Sequence, residues 1–322
     1  MKIVFMGTPD FAVPSLKQLL AHHDVVAVCT QPDRPAGRGN KLQISPVKAL
    51  ALSAGVEVLQ PETLSIKKAP STDVKEIRNY LVKLDADIFV VVAYGLMLPK
   101  AVLDMPRLGC VNIHASLLPK YRGASPIHSA IKNGDTTTGI TIMHMDIGMD
   151  TGDIVLQREL AIGPKEHTPS LHDRMADLGG ECIIEALALI EAGKATRTPQ
   201  DDAASSHVPM IRKTDGLIDW KWPTERIVNL MRAFDPWPGA YTLYNGEIIK
   251  IWDMDCAESM DSIVSPPGTI LSVDSSKGFV VRTGDGMVWI LEVQAPGGKR
   301  MAAKDYLRGH DIRVGGVLGN LK

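Results

Sequence analysis

The first half of the chain alternates short apolar runs with stretches of helical periodicity. KIVFM (2–6) runs into Gly7-Thr8-Pro9, and residues 15–20 then space their apolar positions as a helix does. DVVAVC (24–29) is β-branched and suits a buried strand. ALALSAG (49–55) reads as helix, VEVL (56–59) as strand, and Asp73 to Leu84 as a polar helix. DIFVVVA (87–93) is the strongest buried-strand signal in the chain. This alternation predicts an α/β domain built on a βαβ parallel sheet. Between residues 167 and 193, Leu171, Met175, Leu178, Cys182, Ile183, Ala186, Leu187 and Ile190 recur at the spacing of one amphipathic helix.

The pattern changes near residue 193. GKATRTPQDDAASSHVPMIRKTDG is polar, small and without period, as an interdomain linker is. Beyond it one helix (about 224–233) precedes YTLYN, EIIKIWDM, GTILSV, GFVVRT and MVWILEV, broken by Gly, Asp-Gly and Ser-Ser turns. Short strands so closely spaced predict a small antiparallel barrel. The expected division is residues 1–193, a linker 194–213, and 214–322.

Composition adds limits rather than a function. With 322 residues, 45% of them hydrophobic, the chain can build two domains with real cores. No run of about 18 uninterrupted apolar residues occurs, so no membrane span is expected. Cys29, Cys110, Cys182 and Cys256 are scattered, with no CxxC or Cys/His cluster. Reduced thiols in a cytoplasmic protein without a metal site are the expectation. A net charge of −2 announces no polyanion partner, so any such contact must come from local patches.

The chemistry concentrates in CVNIHASLLPKYRG (110–123). Asn112 and His114 lie two apart on a strand and point the same way. An amide donor beside an imidazole at a strand end suits a site that meets charge developing on an oxygen. The loop beyond crowds Lys120, Tyr121 and Arg122 where open α/β sheets place ligands. Further on, MHMDIGMDTGD (143–153) holds Asp146, Asp150 and Asp153, any of which could reach His114. Arg34, Arg38 and Lys41 stand in a Pro/Gly-rich loop that reads as a phosphate-contacting arm. Neither GxGxxG, nor a P-loop lysine, nor GxSxG occurs to support a dinucleotide, nucleotide or serine-hydrolase site.

Seven segments together resemble one enzyme family along nearly the whole chain: MGTPDFAVPSL (6–16), QPDRPAGRG (31–39), VVVAYGLMLP (90–99), VNIHASLLPKYRGASPI (111–127), TGITIMHMDIGMDTGDI (138–154), DGLIDW (215–220) and RAFDPWPGAY (232–241). The chain is similar to the formyltransferases that use 10-formyltetrahydrofolate, and within them to the branch that formylates initiator Met-tRNA. The resemblance implies a Rossmann-like formyltransferase domain followed by an OB-like barrel that helps to hold tRNA. It places Asn112, His114 and Asp150 at the family's catalytic positions, Ser116, Leu117, Leu118 and Pro119 in its folate-contacting loop, and Arg38 at its tRNA-reading arginine. Lys41, Arg212 and Lys213 are expected to join Arg38 on the tRNA. Asn112 and His114 would stabilise the oxyanion, and Asp150 would orient His114 and take up a proton. The implied partners are 10-formyltetrahydrofolate and initiator Met-tRNA, with no metal, no membrane and a monomeric state.

Overall fold

The structure, a computed structural model, describes residues 1–36, 41–67, 72–258 and 265–319. These form two compact units. The first comprises residues 1–126, 137–161 and 172–208, and the second 127–136, 162–171 and 209–322.

The elements up to residue 208 run in chain order as β1 (Lys2–Gly7), α1 (Val13–His22), β2 (Asp24–Cys29), the hairpin β3 (Arg34–Ala36) and β4 (Lys41–Gln43), α2 (Pro46–Ser53), β5 (Val58–Leu59), α3 (Thr72–Lys83), β6 (Ile88–Val92), α4 (Lys100–Leu103), β7 (Cys110–His114), β8 (Arg122–Gly123), α5 (Pro126–Lys132), β9 (Thr137–His144), β10 (Ile154–Ala161), α6 (Thr168–Glu191) and β11 (His207–Val208). Seven strands make the first unit's sheet in the order β10-β9-β7-β6-β1-β2-β5. Strands β5, β2, β1, β6 and β7 are parallel, as the βαβ reading requires. Strands β9 and β10 run antiparallel at one edge. β9 is antiparallel to both its neighbours, β7 and β10, and the short loop 145–153 returns the chain so that β10 again runs in the sense of the parallel strands.

β6 is buried along its whole length, which explains its unbroken apolar run: a sheet covered on both faces leaves no strand face for water. On one face Val4, Met6, Ala27, Cys29, Phe89 and Val91 pack with Leu81 of α3 and Val102 and Leu103 of α4. On the other, α6 approaches closely because Gly179 has no side chain. A Cβ there would lie 3.1 Å from the Ile113 Cγ2. A mid-helix glycine costs about 1 kcal/mol in propensity, here exchanged for contact with the strand that carries the site. The order reverses between β1 and β6, so the crevice at the carboxyl ends of β1, β6 and β7 is where this class of sheet admits ligands.

The second unit carries α7 (Thr224–Phe234), β12 (Ala240–Tyr244), β13 (Glu247–Cys256), β14 (Ile270–Asp274), β15 (Gly278–Arg282), β16 (Met287–Gln294), β17 (Met301–Ala302) and α8 (Ala303–Tyr306). Its antiparallel sheet has the order β12-β13-β16-β15-β14, with β17 beside β16. Asn245 and Gly246 both take positive φ, 50° and 82°, at the β12–β13 turn, as a two-residue hairpin demands. α7 buries Ile227, Leu230, Met231 and Phe234. At its end Asp235 is held by His167 at 2.9 Å and Arg300 at 2.6 Å.

Candidate active site

β7 delivers Asn112 and His114 to the crevice, both at its carboxyl end. His114 is 6% exposed, and its Nε2 lies 3.0 Å from the Tyr121 carbonyl. A carbonyl only accepts, so Nε2 carries the proton. Nδ1 therefore faces the Asp150 carboxylate, 3.8 Å away and within ion-pair reach. Of the three candidate carboxylates, Asp150 is the one beside His114. Asp146 accepts from the Gly148 amide and the Thr151 hydroxyl, fixing its own turn. Asp153 acts electrostatically on His144 instead. No hydrogen bond reaches the Asn112 side-chain amide among the described residues, which leaves its N–H groups available at the crevice.

Asp150 is held at both ends. Its Oδ2 accepts from the Gly123 amide at 2.8 Å, and its backbone takes a positive φ of 57°. Gly123, with φ 111°, lies in β8 against β11. A Cβ at Gly123 would come within 2.4 Å of the Val208 carbonyl, so only glycine permits the pairing.

The expected folate loop is internally braced. Ser116 and Leu118 are buried, whereas Leu117 and Pro119 are partly exposed. Ser116 Oγ donates to the Lys120 carbonyl at 2.6 Å, Leu118 N donates to Thr141 Oγ1 at 3.0 Å, and Gln157 Nε2 donates to the Leu118 carbonyl at 2.8 Å. Of the four, Leu117 and Pro119 are thus the side chains that keep some exposure.

Of the cations, Lys41 begins β4, while Arg38 lies outside the described residues. Arg212 and Lys213 are exposed in the second unit. Lys213 adds to burial in pushing the Lys250 ammonium below its ordinary range, so these two cations share one neighbourhood. Among the described residues, no group of three His, Cys, Asp or Glu side chains could hold a metal ion.

Sequence reading passed over Thr141, Gln157 and Gln200. Thr141 and Gln157 sit on strands whose alternation is ordinary. Gln200 lies in polar, aperiodic chain that offers no local cue.

A family model for formyl transferases matches residues 1–187, and one for the formyl transferase C-terminal domain matches residues 210–311. Fold and site therefore define a formyltransferase. Methionyl-tRNA formyltransferase of Caldanaerobacter subterraneus is 48% identical over 99% of this chain and 100% of its own length, and that of Paracidovorax citrulli 49% identical over 99% and 98%. The chain belongs to the methionyl-tRNA formyltransferase family. The fold recurs in an N-formyltransferase from Helicobacter canadensis in complex with folinic acid and dTDP-3-aminofucose, at TM-score 0.65 and 20% identity over 90% of this chain and 98% of that one. It recurs too in the methionyl-tRNA formyltransferase of Clostridium thermocellum, at TM-score 0.52 and 16% identity over 80% and 94%.

Proposed function

We propose that this protein transfers the formyl group of 10-formyltetrahydrofolate to the α-amino group of methionine on initiator tRNA, in the cytoplasm and as a monomer. The observation that carries this reading is the grouping of Asn112, His114 and Asp150 at one strand end, in a chain nearly half identical, end to end, to enzymes named for that reaction. The bound folate supplies an activated formyl group. The Asn112 amide then faces the oxygen on which negative charge builds, and one such donor is worth roughly 3–4 kcal/mol. His114, its Nε2–H already given to Tyr121, presents Nδ1 to Asp150. These two groups take the proton that the amine gives up as its nitrogen bonds the formyl carbon. The folate nitrogen leaves with the bonding pair and takes up a proton.

Residues 1–193 would form the catalytic domain, 194–213 its connection, and 214–322 a tRNA-binding domain. Leu117 and Pro119, flanked by Ser116 and Leu118, would contact the folate. Arg38, Lys41, Arg212 and Lys213 would meet tRNA phosphates. The test supplies labelled 10-formyltetrahydrofolate with charged initiator tRNA, charged elongator tRNA, or no acceptor. Label should appear on the initiator methionine. Formate released equally in all three reactions would sink the reading.

A further inference from the structure

Gln200 closes a ring of bonds around Asp150. Its Nε2 donates to the Asp150 carbonyl at 2.9 Å and to the Gly152 carbonyl at 2.8 Å. Its Oε1 accepts from Arg122 Nε at 3.0 Å and Nη2 at 2.9 Å. The residue after Arg122 supplies the amide that binds the Asp150 carboxylate, and the residue before it supplies the carbonyl that binds His114. The circuit therefore runs from the Asp150 backbone through Gln200 and Arg122 to Gly123 and back to the Asp150 side chain.

Three features indicate that this ring is built for rigidity. The Arg122 guanidinium is only 3% exposed, a burial that demands paired acceptors, which Gln200 and Asp202 provide. Asp150 sits in the left-handed region, uncommon for an L-residue though more accessible to Asp than to most, and both its carboxylate and its carbonyl are bonded in that conformation. The two carbonyls that Gln200 captures flank Thr151, so the amide clamps the turn on both sides. The chain is also tied down on either side of Gln200, before it where Thr198 and Ile154 exchange backbone hydrogen bonds and after it at Ser206 and Val208. Arg122 N donates to the Ser206 carbonyl, Tyr121 N to Ser206 Oγ, and Ala124 N to the Val208 carbonyl.

We propose that Gln200, with Arg122, is a positioning residue: it holds the Asp150 carboxylate against Gly123 N and opposite His114 Nδ1. This rests on the proposed role of Asp150 in formyl transfer. A misplacement of about 1 Å can cost roughly 100-fold in rate.

The test is a double-mutant cycle in the full-length enzyme with 10-formyltetrahydrofolate and charged initiator tRNA. Gln200→Ala should lower kcat about 30-fold or more, with KM for the folate changed less than about 3-fold. In an Asp150→Asn background, already stripped of the carboxylate, the same change should lower kcat less than about 3-fold further. A residue that merely supports the fold would lower both backgrounds by the same factor. Gln200→Glu separates the two halves of the contact. It keeps the contact with Arg122 but sets an accepting oxygen against the two carbonyls to which the amide donated, so Tm should fall somewhat and kcat should fall at least as far as in Gln200→Ala. If Gln200→Ala loses its cooperative thermal transition, Gln200→Glu takes its place in the cycle under the same limits. Equal factors in both backgrounds, or a kcat for Gln200→Glu within about 3-fold of the parent, would overturn the proposal. Full activity of Asp150→Asn alone would instead remove the catalytic reading on which it rests.

Discussion

At the scale of single residues, Asn112 is the group whose removal should report on chemistry most directly. Its amide has no partner among the described residues, so Asn112→Ala leaves no broken internal bond behind. We expect kcat to fall about 100- to 1,000-fold with the folate KM nearly unchanged, as for loss of one oxyanion donor. Steady-state kinetics decide this; a loss confined to KM would assign Asn112 to binding alone. Cysteine reactivity is equally specific. Burial pushes the Cys29 and Cys110 thiols up to about 12 and Cys182 up to about 11, whereas Cys256 is exposed. A thiol reagent at pH 8 should therefore modify one cysteine quickly in the native protein, and Cys256→Ser should abolish that fast phase.

At the scale of elements, two-residue pairing between β8 and β11 carries more than its length suggests. Gly123→Ala would drive a Cβ against the Val208 carbonyl and place an alanine at φ 111°. We expect hydrogen exchange at the Arg122 and Ala124 amides to rise sharply while β1 and β6 stay protected. Unchanged protection would mean the pairing is dispensable. The parallel strands and α6 were legible because burial on both sheet faces writes itself as unbroken apolar runs, and α6 as period-3.6 spacing. The site was legible in part. Asn112 and His114 share a strand face, which the period of two reveals. Asp150 could not be chosen over Asp146 and Asp153 from spacing, because the choice depends on which carboxylate a positive-φ turn presents to Gly123 N. Gln200 was illegible, since its role comes from contacts 78 and 50 residues away in sequence.

At the scale of the whole molecule, two histidines set the acid side of the stability curve. Burial pushes His144 below the ordinary 6.5, and nearby Arg197 pushes it the same way. Burial, with the N-terminal ammonium, does the same to His23. Both therefore take up a proton less readily in the folded state than in the unfolded chain, so the unfolded state binds more protons below about pH 6.5. Stability should therefore fall as pH drops from about 7 to about 5.5. His144→Gln should flatten that fall in a series of thermal melts, and a slope identical to the parent's would refute the assignment. Among the described residues no helix is long and apolar enough to cross a membrane.

The brace formed by Gln200, Ser206 and Val208 also changes where the chain can usefully be cut. Composition shifts at residue 193, but the Asp150 turn is not complete until Val208 has been laid beside Gly123. A recombinant fragment 1–193 would keep every residue of the apolar sheet and lack the clamp on its carboxylate. A fragment carried to about residue 210 would keep both. Expressed side by side, the two should differ little in far-ultraviolet circular dichroism. They should differ markedly in how fast a protease nicks residues 145–153, and the longer one should resist.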